Sequence, residues 1–379
     1  MDFNLTQEQT QFADALRRWV EKDYGFEQRK QIIESAEGIS DKAWGGLTEL
    51  GALALPVPEE QGGFNGSAID MLVIMQELGR GIVIEPYFAT VMGAEFLKKS
   101  GKHTNVLEQI AGGEVKLANA LGERQSRYDL FDIATTTSKN GDGFVLNGSK
   151  TVVLHGAQAD KLIVSARSSG AQRDTNGISL FIVDANAVGV SLRDYRTIDG
   201  YRAADISFSN VQVGADALLS AVDGGWELLD AVADYGVTLL CAESIGIMEA
   251  ITAATLDYLK TRQQFGVPIG KFQVLQHRMA EMFMEMEQAR SMATLAAVKI
   301  ASDDVEERRR TVSSAKARIG QAAKYIGQQA VQLHGGMGVT NELPVAHMFK
   351  RLTTIELTLG DTDHHLARFV AQPGFKSAA

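Results

Sequence analysis

The spacing of apolar residues changes twice along the 379-residue chain, and this change limits the fold more than any single motif does. Helical spacing comes first. Thr6 and Gln9 fit a capping box, and Phe12, Leu16 and Val20 recur behind them on one helical face. Residues 41–53, 68–80 and 87–113 read as further helix, and ALPVPEEQGGFNGS, with Pro56, Pro58, Gly62 and Gly63, reads as a loop between the first two. From about 115 to 215 the texture becomes short β-rich runs, IATTTSK, GFVLNG, KLIVSAR, GISLFIVDA and ADISFSNVQV, split by Gly, Asn and Asp turns. Such runs predict a small barrel or sandwich.

After Gly225 helical spacing returns and stays. Leu275, Met279, Met282, Phe283, Met286, Ala289 and Ala293 form one stripe, and Val312, Ala315, Ile319, Ala322, Ala323, Ile326 and Ala330 another, as facing helices of a bundle require. The expected fold is α+β: an N-terminal helical domain (1–114), a middle β-barrel-like domain (115–222), a C-terminal four-helix bundle (223–370) and a flexible tail (371–379). A parallel nucleotide-binding sheet would alternate strand with helix and carry a glycine fingerprint after its first strand, and neither is present.

Lys plus Arg number 37 against 47 Asp plus Glu, a net charge of -10 that disfavours nucleic acid as a partner. MDFNLTQEQT lacks the basic and apolar segments of a signal peptide, and no run approaches the roughly 20 apolar residues of a membrane helix, so a cytoplasmic protein without membrane insertion is expected. The one cysteine, Cys241, lies in the apolar run VTLLCA and reads as core.

Near the C-terminus, TLGDTDHHLAR sets Asp361 and Asp363 beside His364 and His365. Adjacent ligands on one short segment rarely converge on an ion, so no metal site is expected. An acid/base role and a plain helix cap, by Thr362 or Asp361, both remain open.

Five stretches taken together, VPEEQGG, LNGSK, TRQQFGVPIGKFQVLQHR, QLHGGMGVT and LGDTDHHLAR, resemble the acyl-CoA dehydrogenase family in order and spacing. The resemblance covers almost the whole chain and extends to the heteromeric bacterial members. It implies FAD bound between domains, with its adenine end reaching a neighbouring subunit. Arg262 corresponds to the arginine on the FAD pyrophosphate, whose fork suits two phosphate oxygens. Gln264, Phe265, Phe272, Gln273, Gln332, Gly335 and Gly336 match other cofactor positions, and Thr362, Asp363 and His364 would lie near the flavin and the ADP ribose.

The same resemblance implies desaturation of an acyl-CoA thioester between Cα and Cβ, with a carboxylate taking the α-proton and the flavin taking hydride. The family's Glu falls at Gly360 or Asp361 depending on register, which makes Asp361 the candidate base; Glu243 is the alternative, its plain reading being a helix carboxylate paired with a basic neighbour. Where members carry a flavin-touching Thr-Glu-Pro, this chain has ANALGERQSR without that Thr or Pro; Trp-Ile-Thr becomes Val152, Val153 and Leu154, and a substrate-side arginine becomes Val237. An electron-transfer flavoprotein or similar acceptor is implied, as is a homotetramer or an α2β2 heterotetramer. Two rivals share the scaffold: a less active partner subunit of a heteromeric dehydrogenase, and a flavin monooxygenase.

Overall fold

The computed structural model describes residues 5–373, so the first four residues and the last six of the expected tail lie outside the described residues. The chain falls into two compact units. One is built from the chain up to Arg29, Ala68–Val83 and everything from Gly236 onward; the other from Lys30–Ser67 and Ile84–Tyr235.

In the first unit, α1 (Gln7–Asp23) begins at the expected capping box, with both reciprocal Thr6 and Gln9 bonds made. It packs on α4 (Ala68–Arg80), as the buried face of Leu16 and Val20 requires. The bundle is α7 (Trp226–Thr261) from Gly236 on, α8 (Gln273–Lys299), α9 (Val305–His334) and α10 (Pro344–Leu357), followed by the short α11 (Thr362–Val370). Helix α9 is the hub, contacting α8, α10 and α11. A Cβ on Gly246 would stand 1.8 Å from the Gln76 carbonyl oxygen, and one on Gly79 2.2 Å from that of Glu243, so α4 and α7 meet backbone to backbone.

The second unit contains α2 (Phe26–Glu34) from Lys30 on, α3 (Asp41–Glu49), α5 (Tyr87–Ser100), α6 (Thr104–Ala111) and a seven-stranded sheet. Its strands are β1 (Leu117–Ala120), β2 (Thr136–Asn140), β3 (Gly143–Leu154), β4 (Lys161–Arg167), β5 (Ile178–Asp184), β6 (Val190–Arg196) and β7 (Arg202–Val213). The order is β1-β4-β2-β3-β7-β6, with β5 also on β4. Only the β1–β4 and β2–β4 pairings are parallel.

Three expectations need correction. The stretch 87–113 is two helices, because Gly101 closes α5 in a left-handed conformation (φ 66°) and His103 follows in the same region. Phe283 leaves the apolar stripe: one residue past buried Met282 the helix has turned about 100°, and the ring is 55% exposed. Finally, α7 is long and apolar enough to cross a membrane by length and composition, although 72% of its most apolar window is buried within the structure, as a bundle's central helix must be. Cys241 is buried on that helix, as expected.

Candidate active site

The turn between α10 and α11 is fixed from several sides. Leu359 (φ 56°) and Gly360 (φ 111°) are both left-handed, a conformation that costs a leucine about 1 to 3 kcal/mol and persists only where the surroundings impose it. Lys316 Nζ, from the middle of α9, donates to the carbonyl oxygens of Gly360 at 2.6 Å and Glu356 at 2.9 Å. His365 Nε2 donates to the Leu359 carbonyl at 3.0 Å, leaving Nδ1 as a buried bare nitrogen with no partner. Burial, reinforced by the Lys316 charge, pushes the His365 imidazole down to about 2, so it is neutral. The Thr362 N–H donates to Glu356 Oε1. Helix α11 then meets α9 at Gly320, where a Cβ would come within 2.7 Å of Thr362 Oγ1.

Asp361, half-buried, is the N-cap of α11; its Oδ1 accepts the His364 N–H at 2.8 Å. The helix cap, which the sequence left between Thr362 and Asp361, is therefore made by Asp361. Among the described residues no group of three or more His, Cys, Asp or Glu is placed to hold a metal ion. Glu243, buried on α7, makes a bidentate ion pair with Arg351 of α10 at 2.6 and 2.7 Å. Both of its oxygens are thus held by a buried guanidinium, as the plain reading of a helix carboxylate paired with a basic neighbour has it.

A second cluster gathers at the C-terminal end of α9. Arg262 follows the last residue of α7 and opens a short hairpin, β8 (Gln263–Gln264) and β9 (Val267–Pro268), that leads to Phe272 and Gln273 at the start of α8. Tyr258 stacks on His334 at 4.5 Å, and Arg278 donates to Gln329, so this corner lies against the end of α9 where Gln332, Gly335 and Gly336 sit. The side chains of Arg262, Gln264, Gln273 and Gln332 are exposed and bond to none of the described residues. Phe265, 90% exposed, meets Phe272 edge-on. No atom lies within 4 Å of a Cβ built on Gly335 or Gly336. Uncommitted guanidinium and amide donors, open backbone and two exposed rings suit a pyrophosphate and an aromatic base, so the residues present fit the ADP half of FAD. Thr362, Asp363 and His364 are not part of this corner. Twelve residues of α9 separate Gly320 from Gln332, about 18 Å at the helical rise.

The loop after β1 belongs to the second unit, and its anchor was not read from the sequence. Glu123 is buried and accepts from Lys150 Nζ at 2.8 Å, from the backbone N–H groups of Ala134 and Thr135, and from Gln125. Lys150 also donates to Ser165 and to the Leu121 carbonyl. Burial alone would raise the Glu123 carboxyl, but the Lys150 ammonium and these hydrogen bonds outweigh it and hold the carboxyl down at about 2. Thus Glu123, between Gly122 and Arg124, is a structural anchor of this loop. Nearby, Val152 is left-handed (φ 54°) and exposed, in a register shift of the β3–β7 pair, with its N–H directed at Asp205. Lys316 was missed as well, although it shares a helical face with Val312, Ile319 and Ala323, where a lysine stands out.

Fold and site together define a flavoenzyme frame with helical ends and a central sheet, and comparison with known proteins agrees. The acyl-CoA dehydrogenase N-terminal, middle and C-terminal domain profiles match residues 6–110, 118–211 and 223–372, and the chain belongs to the acyl-CoA dehydrogenase family. It is thus an oxidoreductase of a family that uses FAD. It is 29% identical to "Probable acyl-CoA dehydrogenase YngJ" of Bacillus subtilis, over 96% of this chain and 97% of that one. Among solved structures, butyryl-CoA dehydrogenase from Megasphaera elsdenii is 26% identical, with a TM-score of 0.89 over 97% of this chain and 98% of that one. The steroid ACAD Tcur3481-Tcur3483 is 26% identical, also with a TM-score of 0.89, over 98% and 99%.

Proposed function

We propose that the chain desaturates an acyl-CoA thioester between Cα and Cβ, with Asp361 as the base that removes the α-proton. The observation that carries this reading is the fixed α10–α11 turn, which holds a half-buried carboxylate at the start of α11 on a backbone that cannot drift. The Gly360 N–H bonds to none of the described residues and is a ready donor to a thioester oxygen as negative charge develops there. Arg262, Gln264, Gln273, Gln332 and the open backbone at Gly335 and Gly336 would hold the ADP half of FAD; Thr362, Asp363 and His364 would face its other end. FAD, when bound, supplies the hydride acceptor. Electrons then pass to an electron-transfer flavoprotein or similar acceptor, in the cytoplasm.

Asp361→Asn tests the base cleanly, because asparagine caps a helix about as well as aspartate. The variant should keep FAD and bind acyl-CoA but lose substrate-dependent bleaching of the flavin, with chelators having no effect on the parent. Bleaching at the parent rate would remove Asp361 from the role.

One observation favours a second reading, a partner subunit without its own base. A Cβ at Gly360 would fall 2.6 Å from His364 and 2.7 Å from His365, so the turn is built around the absence of a side chain there, while Asp361 caps α11 and Glu243 is bound to Arg351. On this reading the chain joins an α2β2 assembly, and it holds FAD or bleaches only when produced together with a second, related chain.

A further inference from the structure

We propose that Lys316 is the positioning residue of the α10–α11 turn, setting the direction of its peptide groups for catalysis. The proposal rests on the reading that this turn faces the reacting carbon. Lys316 is 2% exposed, and its ammonium reaches its two carbonyl partners from the facing helix. One of these, Glu356, lies in the last turn of α10, whose terminal carbonyls no later turn of that helix can satisfy. The other, Gly360, lies beyond the helix end.

Because a peptide unit is planar and trans, fixing its oxygen also fixes its N–H on the opposite side. With the Gly360 oxygen on Lys316, the Asp361 N–H points away from α9; with the Leu359 oxygen on His365, the Gly360 N–H points away from the imidazole. Two successive peptides are thus each held in a fixed orientation, at the point where the backbone takes up two left-handed residues in a row. Water could satisfy these carbonyls in an exposed turn, but it would not fix their direction. The groups facing the ammonium are Cys241 from α7, Glu356 from α10, and Asp361 and His365 at the start of α11, with His364 and Arg368 beside the imidazole.

The test compares Lys316→Met, which removes the donors, with Lys316→Arg, which keeps charge and donors. It is run on the FAD-loaded assembly by hydrogen exchange, flavin content and rapid-mixing bleaching with a series of saturated acyl-CoAs. In Lys316→Met, amide exchange should rise about tenfold or more in the peptide covering 357–365 and nowhere else, for the loss of two charge-assisted bonds. Flavin content should stay at the parent level. The bleaching rate at saturating acyl-CoA should fall by about the same factor while half-saturation stays within about twofold, and arginine should restore part of both effects. A lysine that only fills space would raise exchange along α9 and α10 alike and leave the saturating rate unchanged; either result overturns the proposal. If the methionine variant does not fold, Lys316→Gln provides the same readouts. If the parent bleaches with no acyl-CoA, the dehydrogenation reading fails and the exchange pattern alone decides the role of Lys316.

Discussion

Arg262 and Glu243 are both charged residues near the ends or middle of long helices, yet their surroundings give them opposite duties. The Arg262 guanidinium is exposed and bonds to none of the described residues, which leaves it available to a ligand. Arg262→Ala should therefore leave the fold untouched and weaken FAD binding by roughly 1.5 to 3 kcal/mol, about ten- to a hundredfold. Flavin absorbance after gel filtration would show this, and unchanged occupancy would take Arg262 out of the site. Glu243, by contrast, is buried against Arg351. Glu243→Gln leaves a buried guanidinium without its counter-charge, and a loss of about 3 to 5 kcal/mol in denaturant unfolding is expected. If that variant is as stable as the parent but no longer bleaches, the base is on α7 after all.

At the scale of elements, the loop after β1 is held by one carboxylate with four donors, which gives it a pH signature. Glu123 is held at about 2 in the folded chain against an ordinary 4.5, so the unfolded chain binds its proton first. Its contribution is complete above pH 4.5 and is lost as pH falls toward 2. Lys150 and Lys316 act on the alkaline side, since burial lowers each to about 8 from 10.5. The unfolded chain keeps those protons longer, so stability gains from both as pH rises from 8 to 10.5. Thermal unfolding across pH should show the acid loss shrink in Glu123→Gln. If the acid limb is the same in parent and variant, Glu123 does not anchor the loop in the way its bonds imply.

Elements with a strong local signal were legible in the sequence: the Thr6 capping box and the apolar run of α4 gave two helices directly. Helix α2 was not, because FEQRKQIIE has little apolar period, and β1 was not, because LANA is short and poor in strand formers. Strand β6, VSLRDYR, lies at the sheet edge with mostly polar, exposed side chains and so shows no alternation. The exposed corner formed by 262–273 and 332–336 could be singled out because its residues come in two contiguous stretches, which ring stacking and a hydrogen bond bring together at the end of α9. The anchors were not, because Glu123 and Lys150 are 27 residues apart and Lys316 and Gly360 are 44 apart, and only the folded chain brings each pair together.

For the whole molecule, Val274, Phe283 and Met284 leave apolar surface exposed on α8, beside exposed Phe265 and Phe272 of the nucleotide corner. The proposed tetramer would cover such a surface, and light scattering should return four times the chain mass for a homotetramer or twice the summed mass of two chains for an α2β2 assembly. Phe283→Glu should give smaller species that have lost FAD; a stable monomer with full FAD would argue against a shared cofactor site.

Helix α9 touches the fixed turn at Gly320 and the nucleotide corner at its C-terminal end, which makes it a ruler with a phase as well as a length. One residue inserted between Gly320 and Gln332 would lengthen it by only about 1.5 Å but rotate one end against the other by about 100°. On the proposed reading, in which both ends of α9 serve one FAD, such an insertion should abolish flavin binding even where the helix itself still folds, which flavin content after gel filtration would show.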